Sequence, residues 1–322
     1  MSILITGVAG FIGCNLAKRV TNEGHIVLGV DNLSRGNLQN LALIENTAKF
    51  HFIEADCADR QSFLAEIIAF HEEFPITEVW HLAANSDIPA GVSDATVDLK
   101  NTFMTTFNVL EVMKTLGIKV LTFASSSAVY GDHGDQSISE VSGPLLPLSN
   151  YGAMKLASEA AISAAAESFL TQAFICRFPN VIGVPATHGV LLDFVNKLKA
   201  SPHKLNVLGD GTQQKAYLHV DDLLEGMLQV RRQATEKVAV YNLGADDLGV
   251  SVRNIAEAVV ASVSPAANIV YGTEDRGWVG DVPKFQYRLD KLKMLGWTPK
   301  LDSTQAIKRA IAEIVEQEIT RK

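Results

Sequence analysis

The N-terminal segment most constrains what this chain can fold into. A short apolar run, residues 2–6, leads directly into three glycines with G-x-x-G-x-x-G spacing, Gly7, Gly10 and Gly13, and a helical pattern follows over residues 11–23. A continuous apolar run of this length is typical of a buried parallel strand. Glycines in a strand-to-helix turn let backbone N–H groups approach a pyrophosphate at the helix N-terminus. The segment therefore predicts a dinucleotide site; a tight turn without a ligand is the alternative.

Strand-like and helix-like segments alternate up to about residue 177. Further strands are predicted near residues 26–31, 50–55, 77–82, 118–124 and 171–176, and helices near residues 59–72, 94–116 and 150–169. Such alternation predicts βαβ crossovers and a parallel sheet with helices on both faces. Beyond residue 177 the elements shorten and proline and glycine recur, up to an amphipathic helix at residues 303–318. We therefore expect an α/β protein, with a Rossmann-type doubly wound parallel sheet in residues 1–177 and a smaller C-terminal α/β lobe, partly interleaved with it, in residues 178–322.

Asp31 closes the second predicted strand, 18 positions after Gly13. An acidic side chain at this point accepts hydrogen bonds from an adenosine ribose and repels the 2′-phosphate that distinguishes NADP from NAD. Arg35 follows four residues later and offers a charge that softens this repulsion. The aspartate at the strand end nevertheless favours NAD.

Tyr151 and Lys155 lie four residues apart on a predicted helix, so their side chains share one face. A free phenol has a pKa of about 10 and is a poor base at neutral pH. A nearby ammonium and an oxidised nicotinamide both favour the phenolate and lower that pKa. The preceding predicted strand ends in serines 125–127, at the edge where α/β sheets bind ligands. A surface Tyr near a surface Lys is the alternative, and this context favours a catalytic set.

Composition excludes several functions. The net charge of −8 and the lack of clustered Lys or Arg argue against a nucleic-acid surface. Three well-separated cysteines, Cys14, Cys57 and Cys176, suit a reducing cytoplasm better than a disulfide framework. The eight histidines show no ligand spacing, so no metal is expected. No apolar run reaches transmembrane length and no signal peptide precedes the glycine loop, so we expect a cytoplasmic protein without a membrane partner.

At this point the sequence resembles the extended short-chain dehydrogenase/reductase family, in its nucleotide-sugar epimerase/dehydratase branch, over nearly the whole chain. The motifs that carry the resemblance are Gly7–Gly13, Asp31-Asn32, Asp56, His81–Ala84, Asn101, Ser125–Gly131, Tyr151 with Lys155, Arg177–Asn180, Gly209–Gln213, Tyr217–Asp222 and Gly280–Pro283. So many motifs in the same order make the resemblance specific.

The resemblance implies a set of functional residues. It implies NAD as the cofactor, bound by Gly7, Gly10, Phe11, Ile12, Gly13, Asp31, Asn32, Asp56, Cys57, Leu82, Ala83, Ala84, Asn101, Tyr151, Lys155 and Phe178. It implies catalysis by Ser126, Tyr151 and Lys155. A nucleotide-diphosphate sugar would contact Ser126, Tyr151, Asn180, Lys215, Arg276 and Phe285, which makes the C-terminal lobe the substrate lobe. The matching family helices, here 94–116 and 150–169, form a four-helix bundle in a homodimer.

Departures from the family pattern narrow the expected reaction. Dehydratases of this branch carry an Asp-Glu pair where this chain has Ser127 and Ala128, so the carboxylates that perform elimination are missing. The expected activity is therefore C4 epimerisation through a transient 4-keto sugar. A nucleotide-sugar reductase or dehydratase on the same scaffold is the alternative, and a non-catalytic dinucleotide-binding sensor is the alternative of a different class.

Two further departures, and one position that bears on substrate size, fall in the substrate lobe. Lys215 stands where the family often has an arginine, and a lysine offers a diphosphate a point charge rather than a bidentate fork. Arg276 is farther from Asp281 than in the usual epimerase spacing. In related epimerases the residue four positions after that aspartate lines the hexose pocket. Here it is Phe285, whose bulk would crowd an N-acetyl group, so the resemblance implies a preference for non-acetylated hexose or hexuronate.

Overall fold

A computed structural model describes residues 1–44, 47–134, 136–274 and 284–320. Its strands are β1 (Ser2–Thr6), β2 (Ile26–Asp31), β3 (Phe50–Glu54), β4 (Ile76–His81), β5 (Val120–Ser126), β6 (Gln172–Phe178), β7 (Asn180–Ile182), β8 (Lys204–Val207), β9 (Gln214–Lys215), β10 (Tyr217–His219), β11 (Val238–Asn242), β12 (Val250–Ser251), β13 (Asn268–Tyr271) and β14 (Lys284–Phe285). Its α-helices are α1 (Phe11–Asn22), α2 (Leu38–Leu41), α3 (Arg60–Glu73), α4 (Ile88–Ser93), α5 (Ala95–Asp98), α6 (Thr105–Leu116), α7 (Asn150–Ser168), α8 (Val190–Ala200), α9 (Val220–Gln233), α10 (Val252–Val263), α11 (Asp290–Met294) and α12 (Ser303–Thr320).

The largest sheet contains the first six strands of the chain and β11, with strand order β11-β6-β5-β4-β1-β2-β3. Strand β1 pairs in parallel with both β2 and β4, β2 with β3, and β4 with β5. All five residues of β1 are buried, as expected for a strand covered on both faces. The strand order reverses at β1, which is where open α/β sheets bind their ligands. The predicted α/β class and Rossmann-type sheet are confirmed.

The chain divides into two compact units. The first contains residues 1–130, 145–177 and 230–241, and the second contains residues 131–144, 178–229 and 242–322. The return of the chain to the first unit after residue 229 has a clear cause, because β11 joins the seven-stranded sheet beside β6. The expected boundary at residue 177 ends one segment of the first unit, and the expected interleaving of the two lobes does not specify which later residues return to it.

Each unit has its own hydrophobic core. In the first, Leu4, Phe63, Val79 and Leu121 are among the fully buried side chains between the sheet and its helices. In the second, α8, α10 and α12 pack together through a separate cluster. Among the described helices, none combines the length and apolar character that a membrane crossing requires.

The predicted helix over residues 94–116 is interrupted. It consists of α5, a π-helical segment at Leu99–Met104, and α6. The backbone N–H of Asn85, in the loop after β4, donates to the carbonyl of Asn101 (3.0 Å) and to the hydroxyl of Thr102 (3.2 Å). A π-helical turn contains one extra residue and presents its carbonyls differently from an α-helix. The wider turn therefore attaches this helix to the loop at the carboxyl end of β4.

Helix α3 offers a matched test of burial in the first core. Ile67 is fully buried, whereas its neighbour Ile68 is 37% exposed. We expect Ile67→Ala to lower the free energy of unfolding by about 2–5 kcal/mol, since it removes buried methylenes and leaves a cavity. Ile68→Ala should change it far less, and urea unfolding of both variants checks this. Equal losses would mean that helix propensity, and not core packing, sets the stability of α3.

Candidate active site

The glycine loop after β1 is closely packed against its surroundings. Gly7 has a φ of 71°, and a Cβ added there would lie 2.8 Å from the backbone nitrogen of Ala83. A Cβ added at Gly13 would lie 2.1 Å from the carbonyl oxygen of Gly7. A side chain at Gly7 would push the glycine loop away from the loop after β4, and a side chain at Gly13 would push helix α1 away from the glycine loop. These glycines therefore bring the N-terminus of α1 directly onto the carboxyl end of β1.

Helix α1 begins at this loop with its backbone N–H groups available. Its N-cap, Gly10, has no side chain to cap them, and its described first turn contains no acidic side chain. The first N–H groups of a helix lack intrahelical partners and carry a partial positive charge. The N–H groups of Phe11 and Ile12 belong to this set. The geometry suits an anionic group such as a pyrophosphate.

Asp31, at the end of β2, is held in one orientation. One carboxylate oxygen accepts the backbone N–H of Ala9 and the other accepts the N–H of Leu33, both at 2.9 Å. Burial raises the pKa of this carboxyl, and the two hydrogen bonds oppose that rise. Arg35 forms an ion pair of 2.9 Å with Asp87. The cation nearest in sequence to Asp31 is therefore already paired with a carboxylate.

The other predicted cofactor residues of the first unit follow the carboxyl ends of neighbouring strands. Asn32 follows β2, Asp56 and Cys57 follow β3, and Leu82, Ala83 and Ala84 follow β4. The loop after β4 is fixed to β1, since the N–H groups of Leu82 and Ala83 bond to the backbone carbonyl and hydroxyl of Thr6. The carbonyl of Cys57 accepts the side-chain amide of Asn108 on α6 (3.0 Å). These residues thus lie at the same edge of the sheet as the glycine loop. Asn101 lies in the π-helical segment, which is hydrogen-bonded to the loop after β4 through Asn85.

Tyr151, Lys155 and Ser126 come together at the end of β5. Ser149 caps α7 by accepting the N–H of Gly152, which places Tyr151 in the first turn of the helix. The hydroxyl of Ser126 is close enough to the Tyr151 phenol to act on its pKa. The Lys155 ammonium lies 5.8 Å from the centre of the Tyr151 ring and donates to the carbonyl of Ala124 at 2.6 Å. The three predicted catalytic side chains therefore form one constellation.

Burial perturbs both titrating groups of this constellation. It lowers the pKa of Lys155 to about 7, against the opposing effects of the Glu159 and Asp98 carboxylates. It raises the pKa of Tyr151 to about 12, and the Ser126 hydrogen bond acts against this rise. In the absence of cofactor both groups therefore tend towards their neutral forms. Paired groups whose pKa values are shifted this far are typical of active sites.

A buried ionic network beneath these residues was not foreseen from the sequence. Glu159 follows Lys155 by one helical turn and accepts two hydrogen bonds from Arg177, at 2.9 and 2.5 Å. The hydroxyl of Ser125 also donates to Glu159, and Arg177 donates to the hydroxyl of Tyr130. The signal that was present is spacing, since residues 151, 155 and 159 lie on one helix face.

A second unforeseen pair connects the loop after β4 with α5. The side-chain amide of Asn85 donates to the Asp98 carboxylate at 2.8 Å, and both residues are buried. Burial raises the pKa of Asp98, and its charge acts on both Tyr151 and Lys155. No local pattern marks Asp98 in the sequence, because its importance depends on helix packing.

His81, at the end of β4, has a structural role. Its two ring nitrogens lie 2.6 Å from the hydroxyl of Thr6 and 3.1 Å from that of Thr106. Burial, reinforced by the charge of Lys155, lowers its pKa to about 3. A neutral ring bonded on both sides joins β4 to β1 and α6, and it bears no positive charge at neutral pH.

The second unit contains the remaining predicted residues. Phe178 ends β6 and Asn180 begins β7, which pairs in parallel with β10. The backbone of Lys215 on β9 lies opposite that of Phe285 on β14. This register places two predicted substrate residues on adjacent strands. Arg276 lies outside the described residues.

The glycine loop, the free helix N-terminus and Asp31 fit a dinucleotide, and Ser126, Tyr151 and Lys155 fit proton transfer beside it. Within the described ranges, no group of three or more His, Cys, Asp or Glu side chains is placed to hold a metal ion. Fold and site together define the class as an α/β protein with the groups of a nicotinamide-dependent redox site.

Comparison with known proteins specifies the class further. Residues 3–244 match the model of the NAD dependent epimerase/dehydratase family, so the chain belongs to this family, whose cofactor is NAD. It is 28% identical over 314 residues to the putative UDP-glucose 4-epimerase of Methanocaldococcus jannaschii, covering 96% of this chain and 97% of the relative.

Two solved structures have the same fold along almost their full length. The UDP-glucose 4-epimerase of Thermotoga maritima, crystallised with UDP-glucose, matches with a TM-score of 0.86 and 26% identity, covering 99% of this chain and 100% of that one. The UDP-glucose 4-epimerase of Thermus thermophilus, in complex with NAD, matches with a TM-score of 0.83 and 26% identity, covering 98% of this chain and 99% of that one.

The environment of Asp31 generates a prediction on cofactor choice. We expect apo-protein to bind NAD more tightly than NADP, because the fixed carboxylate repels a 2′-phosphate. Asp87→Asn keeps an N-cap on α4 but releases Arg35, so it should raise NADP affinity by up to about fivefold, the effect of an exposed ion pair. Calorimetric titration of both proteins with both dinucleotides checks this. If the unaltered protein prefers NADP, Arg35 overrides Asp31 despite its ion pair.

Proposed function

We propose that this protein is an NAD-dependent nucleotide-sugar 4-epimerase, an isomerase that inverts C4 through a transient 4-keto sugar. The observation that carries the proposal is the Ser126–Tyr151–Lys155 constellation at the sheet edge that also bears the glycine loop and Asp31. The 4-epimerase relatives, one of them solved with UDP-glucose, support a nucleotide-diphosphate hexose as the substrate.

The described side chains have distinct roles in this reaction. Tyr151, as phenolate, takes the proton of the C4 hydroxyl and returns it to the oxygen after inversion. Ser126 donates a hydrogen bond to the oxygen at which the carbonyl develops. Lys155 stabilises the phenolate with its charge and binds the ribose of the cofactor. Bound NAD would supply the hydride acceptor, and in its reduced form the hydride donor, for C4, and would be regenerated in each turnover.

Substrate contacts outside this constellation are proposed from the family resemblance. Asn180 and Lys215 would bind the diphosphate, and Phe285 would line the hexose pocket. The pairing of the Lys215 and Phe285 backbones on adjacent strands supports a common role for these two residues. We propose that Phe285 disfavours N-acetylated sugars.

The decisive experiment separates epimerisation from the competing reactions. Purified protein is incubated with a panel of UDP-, dTDP-, GDP- and CDP-hexoses, and the isomers are separated by chromatography and identified by mass spectrometry. An epimerase gives a product of unchanged mass with no accumulation of NADH. A reductase consumes reduced cofactor in proportion to product, and a dehydratase gives a product that has lost water. The absence of any conversion across the panel would favour a non-catalytic dinucleotide-binding protein.

Removal of the phenol tests the assigned base. We expect Tyr151→Phe to lower kcat by about 10²–10⁴-fold, the usual contribution of a general base, while NAD binding persists. Ser126→Ala should cost less, because it removes only one hydrogen bond. Steady-state kinetics with the best substrate of the panel, and fluorescence titration with NAD, measure these effects. Near-normal epimerisation by Tyr151→Phe would assign the proton transfer to another group.

We also propose that the protein is a homodimer that pairs α6 and α7 with their counterparts in a four-helix bundle. The surface of the π-helical segment and α6 exposes Leu99 and Phe107, and Phe103 lies beside Phe107 with ring centres 6.5 Å apart. On α7 the outward positions are small, with exposed Ala160 and Ala164. Large apolar side chains beside small ones suit close packing between helices.

A charge placed in this surface tests the dimer. Phe107 is 42% exposed in the single chain, and we expect Phe107→Glu to convert a dimer to monomer, because it would bury a carboxylate without a partner. Ile68→Glu is the matched control, since Ile68 is similarly exposed but lies on α3. Sedimentation velocity measures the mass of each variant. A monomeric wild type, or equal behaviour of the two variants, contradicts this interface.

We further propose that the protein acts in the cytoplasm. All three cysteines are free and buried, which suits a reducing compartment.

A further inference from the structure

Glu159 occupies the centre of a buried network that links α7 to the ends of two strands. Its carboxylate receives two hydrogen bonds from Arg177, near the end of β6, and one from Ser125, near the end of β5. Each of these three residues is at most 6% exposed. A buried ion pair often contributes little net stability, because desolvation offsets the attraction between the charges. Stability alone therefore does not explain why the Glu159–Arg177 ion pair is buried beside the site.

Lys155 provides that reason, because it is a buried cation one helical turn before Glu159. The lysine is 2% exposed, and its ammonium has few groups to replace water: the carbonyl of Ala124 at 2.6 Å and the ring of Phe123 at 4.7 Å. Such a group tends to lose its proton. The largest charge effect that opposes this loss comes from Glu159, followed by Asp98.

The protonation of Lys155 matters because Tyr151 titrates with it. When one proton leaves this pair, either a phenol remains beside a neutral amine, or a phenolate remains beside an ammonium. Both forms contain the same number of protons, but only the second contains the base. A negative charge that acts more strongly on the Lys155 nitrogen than on the Tyr151 phenol favours the form with an ammonium and a phenolate.

We propose that Glu159 is a positioning residue for catalysis, whose carboxylate, held in place by Arg177 and Ser125, keeps the shared proton on Lys155 and so leaves Tyr151 as the phenolate. The inference rests on the proposed roles of Tyr151 and Lys155 as the proton-transfer pair. Glu159 need not touch the substrate or the cofactor. It acts through Lys155, whereas the carboxylate that acts directly on Tyr151 is Asp98.

The charged groups around Lys155 make the direction of the effect clear. On α7 itself, the groups that act on Lys155 are Tyr151 and Glu159. Asp98 acts on it from α5, and the neutral ring of His81 lies on β4. Arg177, on β6, is paired with Glu159. Removing the charge of Glu159 leaves Asp98 to stabilise the ammonium of Lys155, and it leaves Arg177 with a positive charge that is no longer balanced. The lost anion and the unbalanced cation both disfavour a second cation at Lys155.

The test measures the phenolate directly. The tyrosinate absorbance of NAD-bound protein is titrated against pH, and the same titration of the Tyr151→Phe form of each variant is subtracted. We expect Glu159→Gln to move the Tyr151 titration to higher pH by about one pH unit, the scale of one neighbouring charge. Where a substrate is turned over, the acid limb of the kcat profile should move in the same direction. The absorbance readout does not depend on the identity of the substrate, so it remains valid if the proposed epimerase activity fails.

Two further variants separate charge from structure. Glu159→Gln leaves Arg177 buried without a counter-ion and can impair folding, so the double variant Glu159→Gln/Arg177→Met removes both charges with little change in volume. It should move the titration in the same upward direction but by less than Glu159→Gln, because the unpaired positive charge of Arg177 is removed as well. Glu78→Gln breaks a partly buried ion pair with Arg231 (2.7 Å), near the amino end of β4, and should leave the titration of Tyr151 unchanged. A wild-type titration in the double variant, or an equal movement in Glu78→Gln, would overturn the proposal.

Discussion

The burial of a single ammonium group, that of Lys155, determines how the active-site corner of the first unit is built. A cation removed from water is stable only where carbonyl, aromatic and anionic groups replace the lost hydration. Here β5 supplies the carbonyl of Ala124, and α7 supplies Glu159. The buried carboxylate of Glu159 in turn needs hydrogen-bond donors, and these come from Ser125 near the end of β5 and Arg177 near the end of β6. One charge thus ties two strands and a helix to the geometry of the site.

The cofactor side of the site could be predicted because it is encoded locally. The turn after β1 needs residues without side chains at Gly7 and Gly13, and such a requirement is visible in any single sequence. Asp31 could be assigned from its position at a strand end, and Tyr151 and Lys155 from their spacing on one helix. In each case a few neighbouring residues contain the whole signal, and the alternation of strands and helices places them at one edge of the sheet.

What the sequence did not reveal depends on contacts between distant segments. Arg177 and Ser125 become partners of Glu159 only when β5 and β6 lie side by side. The π-helical turn at Leu99–Met104 lies inside a helical segment and no local pattern marks its extra residue, so the sequence predicts one continuous element. The return of residues 230–241 to the first unit follows from a single short strand, β11, whose place in the sheet no local pattern specifies.

The position of Leu33 has a consequence for engineering this protein. Leu33 adopts a left-handed backbone with φ of 54°, a conformation that costs a residue with a side chain about 1–3 kcal/mol. Its N–H is held by the same carboxylate that fixes Ala9. Asp31 is therefore a structural support of the turn as well as the proposed contact for a ribose. Exchanging it for a small residue, the simplest route to a different coenzyme, would release a strained loop, so a redesign has to rebuild residues 31–36 together.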